Sequence, residues 1–361
     1  MSTFAVTIKT VTIEPHPNAD ALELARFGGY CAVVRKGAHR TGDAVVWIPE
    51  EAVIPDALLE ELGLVGRLAG KAHNRVKATR LRGVLSQGLI MPLKPGWTNQ
   101  TDLATELGIT RHSPAVPIHM AGEAYAAGMD RTLSYDIENI KAHPDVFDNG
   151  ELVSITEKIH GTWCQIGWMP ERLAHPEHGR LIVASKGIAA QGLALKPHAE
   201  ANAHNLYLRA AREWELERRM KAQFEGQDEP VFLLAEVFGE GVQDLGYGQR
   251  RTGAAPPGLR AFDVRIGGRG TGRWLNDVEL ESTLWALGVP RVPVLYRGPF
   301  DQEVLHAYTV GRETVSGNEM HVREGVVVRP LTERRDLVLG RVQCKSINTA
   351  YLLRKGGSEF H

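Results

Sequence analysis

The sequence predicts an α+β protein: a small all-β barrel followed by a larger domain of strands with flanking helices. Three observations carry this. Residues 1–95 hold short alternating apolar segments separated by turn residues, with no long amphipathic helix between them. From Tyr135 onward, strand-like and helix-like segments alternate. Residues 96–134 are rich in Ala, Gly, Pro and Thr with weak periodicity, and read as a linker with one short helix. A chain of 361 residues suits two domains or three.

The elements follow in order. Phe4–Ile13 alternates, and Glu14 to Asp20 is turn chemistry. Leu22–Arg26, Tyr30–Val34 and Ala44–Ile48 are strands, split by Gly28-Gly29 and Thr41-Gly42-Asp43. Arg80 to Ile90 reads as a closing hairpin. In the second domain, Ile182–Ala184 is a strand and residues 199–224 carry helix formers of mixed charge, predicting one long exposed helix. Val231–Phe238 and Arg260–Ile266 are strands. Glu279–Leu287 is a helix stopped by Gly288 and Pro290, and Glu324–Arg329 is a β-branched strand.

With 43% hydrophobic and 24% charged residues, the composition is that of a globular protein, and a net charge of −1 gives no global field toward nucleic acid. Any such binding must be local. Gly66–Arg82 is the place to look: Arg67, Lys71, Arg75, Lys77, Arg80 and Arg82 make six cations in seventeen residues with no acid. They read equally as a phosphate-tracking strip or as a solvated loop. Three scattered cysteines without a C-x-x-C predict reduced thiols, with neither zinc knuckle nor disulfide framework. The expectation is a cytoplasmic chain with no signal peptide and no membrane partner, since no run reaches the ~18 apolar residues a membrane helix needs.

The chemistry centres on Lys158, in Glu157-Lys158-Ile159-His160-Gly161-Thr162 after an alternating apolar stretch. A lysine at a strand end is a nucleophile once its charge is suppressed, and a nearby glycine lets a phosphate approach the backbone. Alone, K-x-x-G is a weak signal. Four further strand-borne groups follow: Glu236 in an apolar strand, Phe262 in Ala261-Phe262-Asp263, Glu324 beside Gly325, and Lys345. Singly, each has a bland reading as ion pair, core aromatic, turn acid or solvated strand end. Together, two lysines, two strand acids and an aromatic are what a nucleotide-dependent phosphoryl-chemistry pocket requires.

This order resembles motifs I, III, IIIa, IV and V of the covalent nucleotidyltransferases, which include ATP-dependent ligases and capping enzymes. His160, giving K-x-H-G, is similar to the RNA ligase branch. The likeness runs over residues 135–356, including the tail from Lys345 to Lys355. The first 95 residues resemble the OB-fold module of Deinococcus-type RNA ligases, on the text His16-Pro17-Asn18-Ala19-Asp20, Val33-Val34-Arg35-Lys36-Gly37, and Leu81-Arg82-Gly83 with Ser86-Gln87-Gly88. The His-Pro-Asn-Ala-Asp stretch is also similar to tRNA-binding OB domains.

The resemblance implies an OB module over 1–95, a linker over 96–134, and an ATP-grasp-like nucleotidyltransferase domain of antiparallel sheets over 135–361. It implies an ATP-dependent RNA ligase using Mg²⁺ or Mn²⁺, joining 3′-hydroxyl and 5′-phosphate ends at duplex nicks through a lysyl-AMP. Lys158 is then the nucleophile. Glu157, His160, Gly161, Lys186, Glu236, Phe262 and Lys345 hold the nucleotide; Glu324 and Glu236 hold metal. Arg35, Lys36, Arg75, Lys77, Arg80 and Arg82 face RNA or an RNA-containing nicked duplex, and a monomer is expected. A free lysine, pKa ~10.4, is charged at neutral pH; bound metal and Lys345 would favour its neutral form.

Two positions depart from the pattern. Trp163 stands where phage-type nick-sealing enzymes have asparagine, and Gln343 replaces the first lysine of a K-x-K, with Arg341 on the same strand face as a substitute. The rivals are a DNA ligase or capping-type enzyme, opposed by His160 and by the 16 residues after Lys345, and a non-catalytic binding protein with a degenerate ligase domain.

Overall fold

The computed structural model describes residues 3–98, 102–249, 256–354 and 357; Lys355, in the tail that carries part of the resemblance, lies outside them. The chain forms two compact units. One takes the chain up to Ser113 together with Glu138–Val146, the other Pro114–Ile137 and the chain from Phe147 onward.

In the first unit the strands Thr7–Thr10, Ala44–Ile48 and Leu89–Pro92 pair in that spatial order, and Thr12–Pro15, Leu22–Phe27 and Tyr30–Arg35 form a second three-stranded sheet. The expected Phe4–Ile13 strand is broken at Val11, whose N–H turns to the Asp43 carbonyl at 3.1 Å. Side chains of Ala44–Ile48 alternate into two cores, Val46 and Ile48 with Ile54, Met91 and Leu103, and Val45 with Val11, Ala25 and Phe27. The predicted hairpin is Thr79–Leu81 against Val84–Ser86. Its two-residue turn has Arg82 at φ 48° and Gly83 at φ 91°, the left-handed pair that matches strand twist.

The second unit is built on two large antiparallel sheets. In one, Cys344–Ile347, Gly325–Pro330, Leu152–Lys158 and Val294–Pro299 are neighbours in that order. The other runs Leu181–Ser185, Thr162–Trp168, Val231–Phe238, Gly258–Ile266 and Arg273–Trp274. One face of the second sheet packs on helices Leu206–Glu213, Leu216–Phe224 and Asp277–Leu287 through Cys164, Ile166, Leu233, Val237, Leu216, Met220, Leu280 and Leu284. The helix predicted as Glu279–Leu287 starts two residues earlier, where Glu279 accepts the Asn276 N–H at 2.9 Å.

Two expectations fail. Residues 199–224 are not one exposed helix: Glu215, at φ 49°, splits it, and Leu206, Tyr207, Leu208, Leu216, Met220 and Phe224 are buried. Charge composition hid this inward stripe. The short helix expected within 96–134 is absent among the described residues, which show the two short strands Thr110–Arg111 and Ala124–Ala126.

Asp277 ties the second unit together. Fully buried at the start of its helix, it accepts from Arg291, from Arg297 Nε at 2.7 Å and from Arg329 Nη2 at 3.3 Å. Burial alone would raise its pKa; the arginines, Arg291 foremost, win and hold it well below the usual carboxylate range. Asp277→Ala should cost about 3–5 kcal/mol, because three guanidinium groups lose a buried counter-charge. A depressed carboxyl stabilises above its ordinary ~3.9 and loses that contribution as pH falls toward its folded value. Urea titrations at pH 7 and in the acid range should therefore show the two proteins converging at low pH.

Candidate active site

The chain changes sheets at Lys158. Leu152–Lys158 ends in the first sheet, three residues turn, and Thr162–Trp168 opens in the second. A Cβ on Gly161 would come within 2.3 Å of the Val237 carbonyl, so only glycine lets this turn press on the strand of Glu236. The Gly161 N–H then donates to Glu236 Oε1 at 3.2 Å. The sequence argued for this glycine from phosphate approach; the approach visible here is that of the protein's own backbone.

Lys158 Nζ donates to Glu324 Oε1 at 2.6 Å. Register explains the meeting: Lys158 lies opposite Gly325, one residue after Glu324. Thr156 lies opposite Val327, which lies opposite Lys345, so Lys345 projects from the same sheet face as Lys158. The second oxygen of Glu324 is buried without a hydrogen-bond partner.

Across the turn, Glu236 is the one acid of the apolar strand Val231–Phe238. Burial pushes its carboxyl up to about 8, the Glu324 charge adds to the rise, and Lys158, the Gly161 N–H and Lys186 pull against it. Lys186 begins the helix Lys186–Ala190 and donates to Asp136 at 2.7 Å. Phe262 is half-buried. It is the extra residue of a bulge where Leu234 faces Asp263 and Ala235 faces Ala261. Its ring stands 5.5 Å from that of Tyr135.

Glu157 and His160 turn elsewhere. Strand alternation sends Glu157 to the opposite side from Lys158. It is buried, accepts from Thr314 N–H at 2.9 Å and Oγ1 at 2.6 Å, and lies 3.6 Å from Arg323 Nε. Its backbone N–H donates to Pro293 O at 2.9 Å. His160 has Asp244 Oδ1 at 2.8 Å from Nε2 and Tyr351 Oη at 2.8 Å from Nδ1, and its N–H donates to Tyr247 Oη at 2.7 Å. Arg354 donates to Asp244 and stacks on Tyr351. Both ring nitrogens are thus engaged by protein groups. Arg341 is committed too, to Asp263 and Glu333, while Gln343 lies 3.0 Å from Tyr135 Oη.

Residues 151–347, more than half of the chain, match the family model described as RNA ligase. The chain belongs to the RNA ligase family. Residues 5–93 of this RNA ligase family member match an OB-fold domain model. Among solved structures, a Naegleria gruberi RNA ligase variant with AMP and Mn is similar at 22% identity and TM-score 0.77, over 96% of this chain and 98% of that one. A variant with ATP and Mn reaches 21% and 0.76 over 97% and 98%, as does the same organism's ligase with pyrophosphate. No curated protein matches.

In the OB-fold unit of this RNA ligase, Arg35, Lys36, Lys77, Arg80 and Arg82 are exposed. Arg75 differs: it is half-buried and paired with Glu51. Thr314, Asp244 and Tyr247, which shape the ligase site, gave no signal, lying far along the chain from what they hold; Tyr351 lay in the tail that carries part of the resemblance, without a role. Tyr135 marked a domain start in the sequence but also packs on Phe262.

Because the folded chain retains the Glu236 proton, which an unfolded carboxyl gives up near ~4.3, stability should fall as pH rises from there to about 8. Glu236→Gln should flatten that slope. Urea denaturation of both proteins across this range measures it; equal slopes would mean that another group holds the proton.

Proposed function

We propose that this RNA ligase family member is an ATP-dependent enzyme that seals 3′-hydroxyl and 5′-phosphate ends at nicks in an RNA-containing duplex. The observation that carries the reading is the Lys158–Glu324 pair at 2.6 Å, with Lys345 on the same sheet face and Glu236 across the turn. ATP as the nucleotide is supported by the structurally similar Naegleria gruberi ligase variants with ATP or AMP and Mn.

In this reading the neutral Lys158 amine attacks the α-phosphate of ATP, forming a phosphoramide bond and releasing pyrophosphate. The AMP passes from lysine to the 5′-phosphate of the broken strand. The 3′-hydroxyl then attacks that activated phosphate and AMP leaves. We assign Phe262 to stacking on the adenine and Glu236 to the ribose. Lys345 and Lys186 meet phosphate charge. Gly161 lets the nucleotide site close on the Glu236 strand, and Glu157 and His160 hold the lysine turn from either side.

A buried acid with an unpartnered oxygen, Glu324, and a half-buried one pushed up to about 8, Glu236, fit a site that takes a divalent cation. Among the described residues no three His, Cys, Asp or Glu side chains gather as a ready metal cage. Glu324 and Glu236 would therefore hold Mg²⁺ or Mn²⁺ together with the nucleotide's own oxygens. The ion would favour the neutral amine and screen the phosphates.

We assign RNA binding to the OB module over 1–95, with 96–134 as connector and the chemistry in 135–361, in a cytoplasmic monomer. Among the described residues no helix is long and apolar enough to cross a membrane.

Lys158→Ala should abolish labelling by α-labelled ATP in the presence of divalent metal, and nick sealing with it. A labelled band on that variant would place the covalent step elsewhere, and labelling of the wild type by GTP would favour capping-type chemistry. Replacing Lys77, Arg80 and Arg82 by alanine should weaken sealing and reduce the slope of its salt dependence by ~0.7–0.9 for each phosphate no longer neutralised, sparing self-adenylylation. An equal fall in both activities would make the module a folding partner.

A further inference from the structure

The hairpin at residues 335–341 is apolar where hairpins are usually polar. Arg335–Asp336 pairs with Gly340–Arg341, and residues 337–339 make a three-residue turn closed by Gly340 at φ 78°. Turn tips favour Gly, Asn, Asp or Ser. This one carries Leu337, fully exposed, and Val338, 84% exposed. The tip is firmly built. Asp336 Oδ1 accepts the Val338 and Leu339 N–H groups, both at 2.8 Å. At the base, Arg341 donates to Asp263 and to Glu333 Oε1 at 2.6 Å, and Arg334 donates to both oxygens of Glu151 at 2.6 and 2.7 Å. The Val342 N–H donates to the Arg334 carbonyl at 3.1 Å. A single exposed apolar side chain needs no explanation, but two neighbours held into solvent by a braced hairpin mark a contact surface.

The charges beside the hairpin identify the partner. Two guanidiniums stand over the Trp274 ring, Arg341 at 4.1 Å and Arg265 at 5.1 Å. Among the described residues Arg265 donates only to the Gly268 and Arg269 carbonyls, and its Nε is buried without a partner. Burial pulls its pKa below the ordinary value, and the charges of Arg341 and Arg335 pull the same way against Asp263. Arg335 is exposed and joins no ion pair among the described residues. Cations left over beside an apolar tip fit an RNA duplex. Its phosphates suit the guanidiniums, and its wide, shallow minor groove offers sugar edges to the tip. The hairpin also joins Gly325–Pro330, the strand that follows Glu324, to Cys344–Ile347, the strand that carries Lys345.

We infer that residues 335–341 dock in the minor groove of the RNA-containing duplex, Leu337 and Val338 against the sugars and Arg335 on a flanking phosphate. This rests on the duplex-sealing reading above. It gives the catalytic unit an RNA contact of its own, in addition to the basic residues of the OB module, and registers the duplex against the strands that carry the chemistry.

The test is binding of a fluorescent nicked RNA duplex whose nick lacks the 3′-hydroxyl and so cannot be sealed. Anisotropy gives Kd over a range of salt, and self-adenylylation from α-labelled ATP checks folding and chemistry. Leu337→Ser with Val338→Ser should raise Kd about tenfold, because apolar area is no longer buried, and leave the salt slope of the wild type. Arg335→Ala should raise Kd and reduce that slope by ~0.7–0.9. Both variants should self-adenylylate like the wild type. An apolar variant that binds the duplex as tightly as the wild type overturns the inference and points the tip at a protein surface. Loss of self-adenylylation in that variant overturns it too, by making the hairpin a brace for the site. An unchanged slope in Arg335→Ala removes the phosphate contact. A wild type that self-adenylylates yet binds no nicked duplex is a different failure: it removes the duplex reading itself.

Discussion

The site depends on how closely the turn after Lys158 presses on the strand of Glu236. With 2.3 Å between a hypothetical Gly161 Cβ and the Val237 carbonyl, the chain can cross from one sheet to the other in three residues only because glycine is there. That crossing puts the end of one sheet against the middle of another. It brings a lysine, an acid one residue before its cross-strand partner, and an acid from the second sheet to one place. None of these side chains comes from a flexible loop alone; Lys158 and Glu236 are strand residues, and Glu324 immediately precedes a strand. Groups that must act on a single phosphate are best held on regular elements.

The electrostatics follow from that crowding. Glu236 lies where water is scarce, and the nearby Glu324 charge makes its ionisation harder. Lys158 satisfies Glu324, so the proton goes to Glu236. Cationic ligands and phosphate-bearing ligands that bring cations with them relieve this frustration. A cation held by the two acids, as proposed above, would compete for Glu324 and leave the Lys158 amine free. Stability is supplied elsewhere: Asp277 with its three arginines and the helix-packed face of the second sheet brace the scaffold around acids that weaken it.

Much of this was legible in the sequence. Most of the expected strands carry alternation or continuous apolar runs, and their bounds fall within a residue or two of those found; the exception is Phe4–Ile13, which breaks at Val11 into two strands. Lys158, Glu236 and Glu324 were recognisable because each interrupts an apolar strand or flanks one with glycine, whereas Phe262 and Lys345 stood out only through the order of the whole set. The split of residues 199–224 was hidden because its breaker, Glu215, is an ordinary helix former forced to a left-handed conformation. The partners of Glu157 and His160 were hidden for another reason. Thr314 lies 157 residues from Glu157 and Tyr351 lies 191 from His160, and nothing in local pattern relates them. Arg75 looked like its neighbours in the basic run, but pairing with Glu51 takes it out of the exposed strip.

These distant partners explain why K-x-H-G is more than a lysine near a glycine. Alternation points Lys158 to the site and Glu157 away from it, into Thr314 and the neighbourhood of Arg323. Arg323 directly precedes Glu324, so the interaction that steadies the lysine strand from behind also steadies the segment that delivers the lysine's counter-ion. On the far side of the turn, His160 is fixed at both ring nitrogens and at its backbone N–H. A turn so held cannot relax away from the Glu236 strand without breaking hydrogen bonds to Tyr247, Asp244 and Tyr351 together. Tyr351 and Arg354 belong to the segment after the last strand, so this segment is coupled to the turn after Lys158 through one imidazole. Both flanking residues thus do their work through other side chains, and Lys158 is the residue of this stretch whose side chain reaches Glu324.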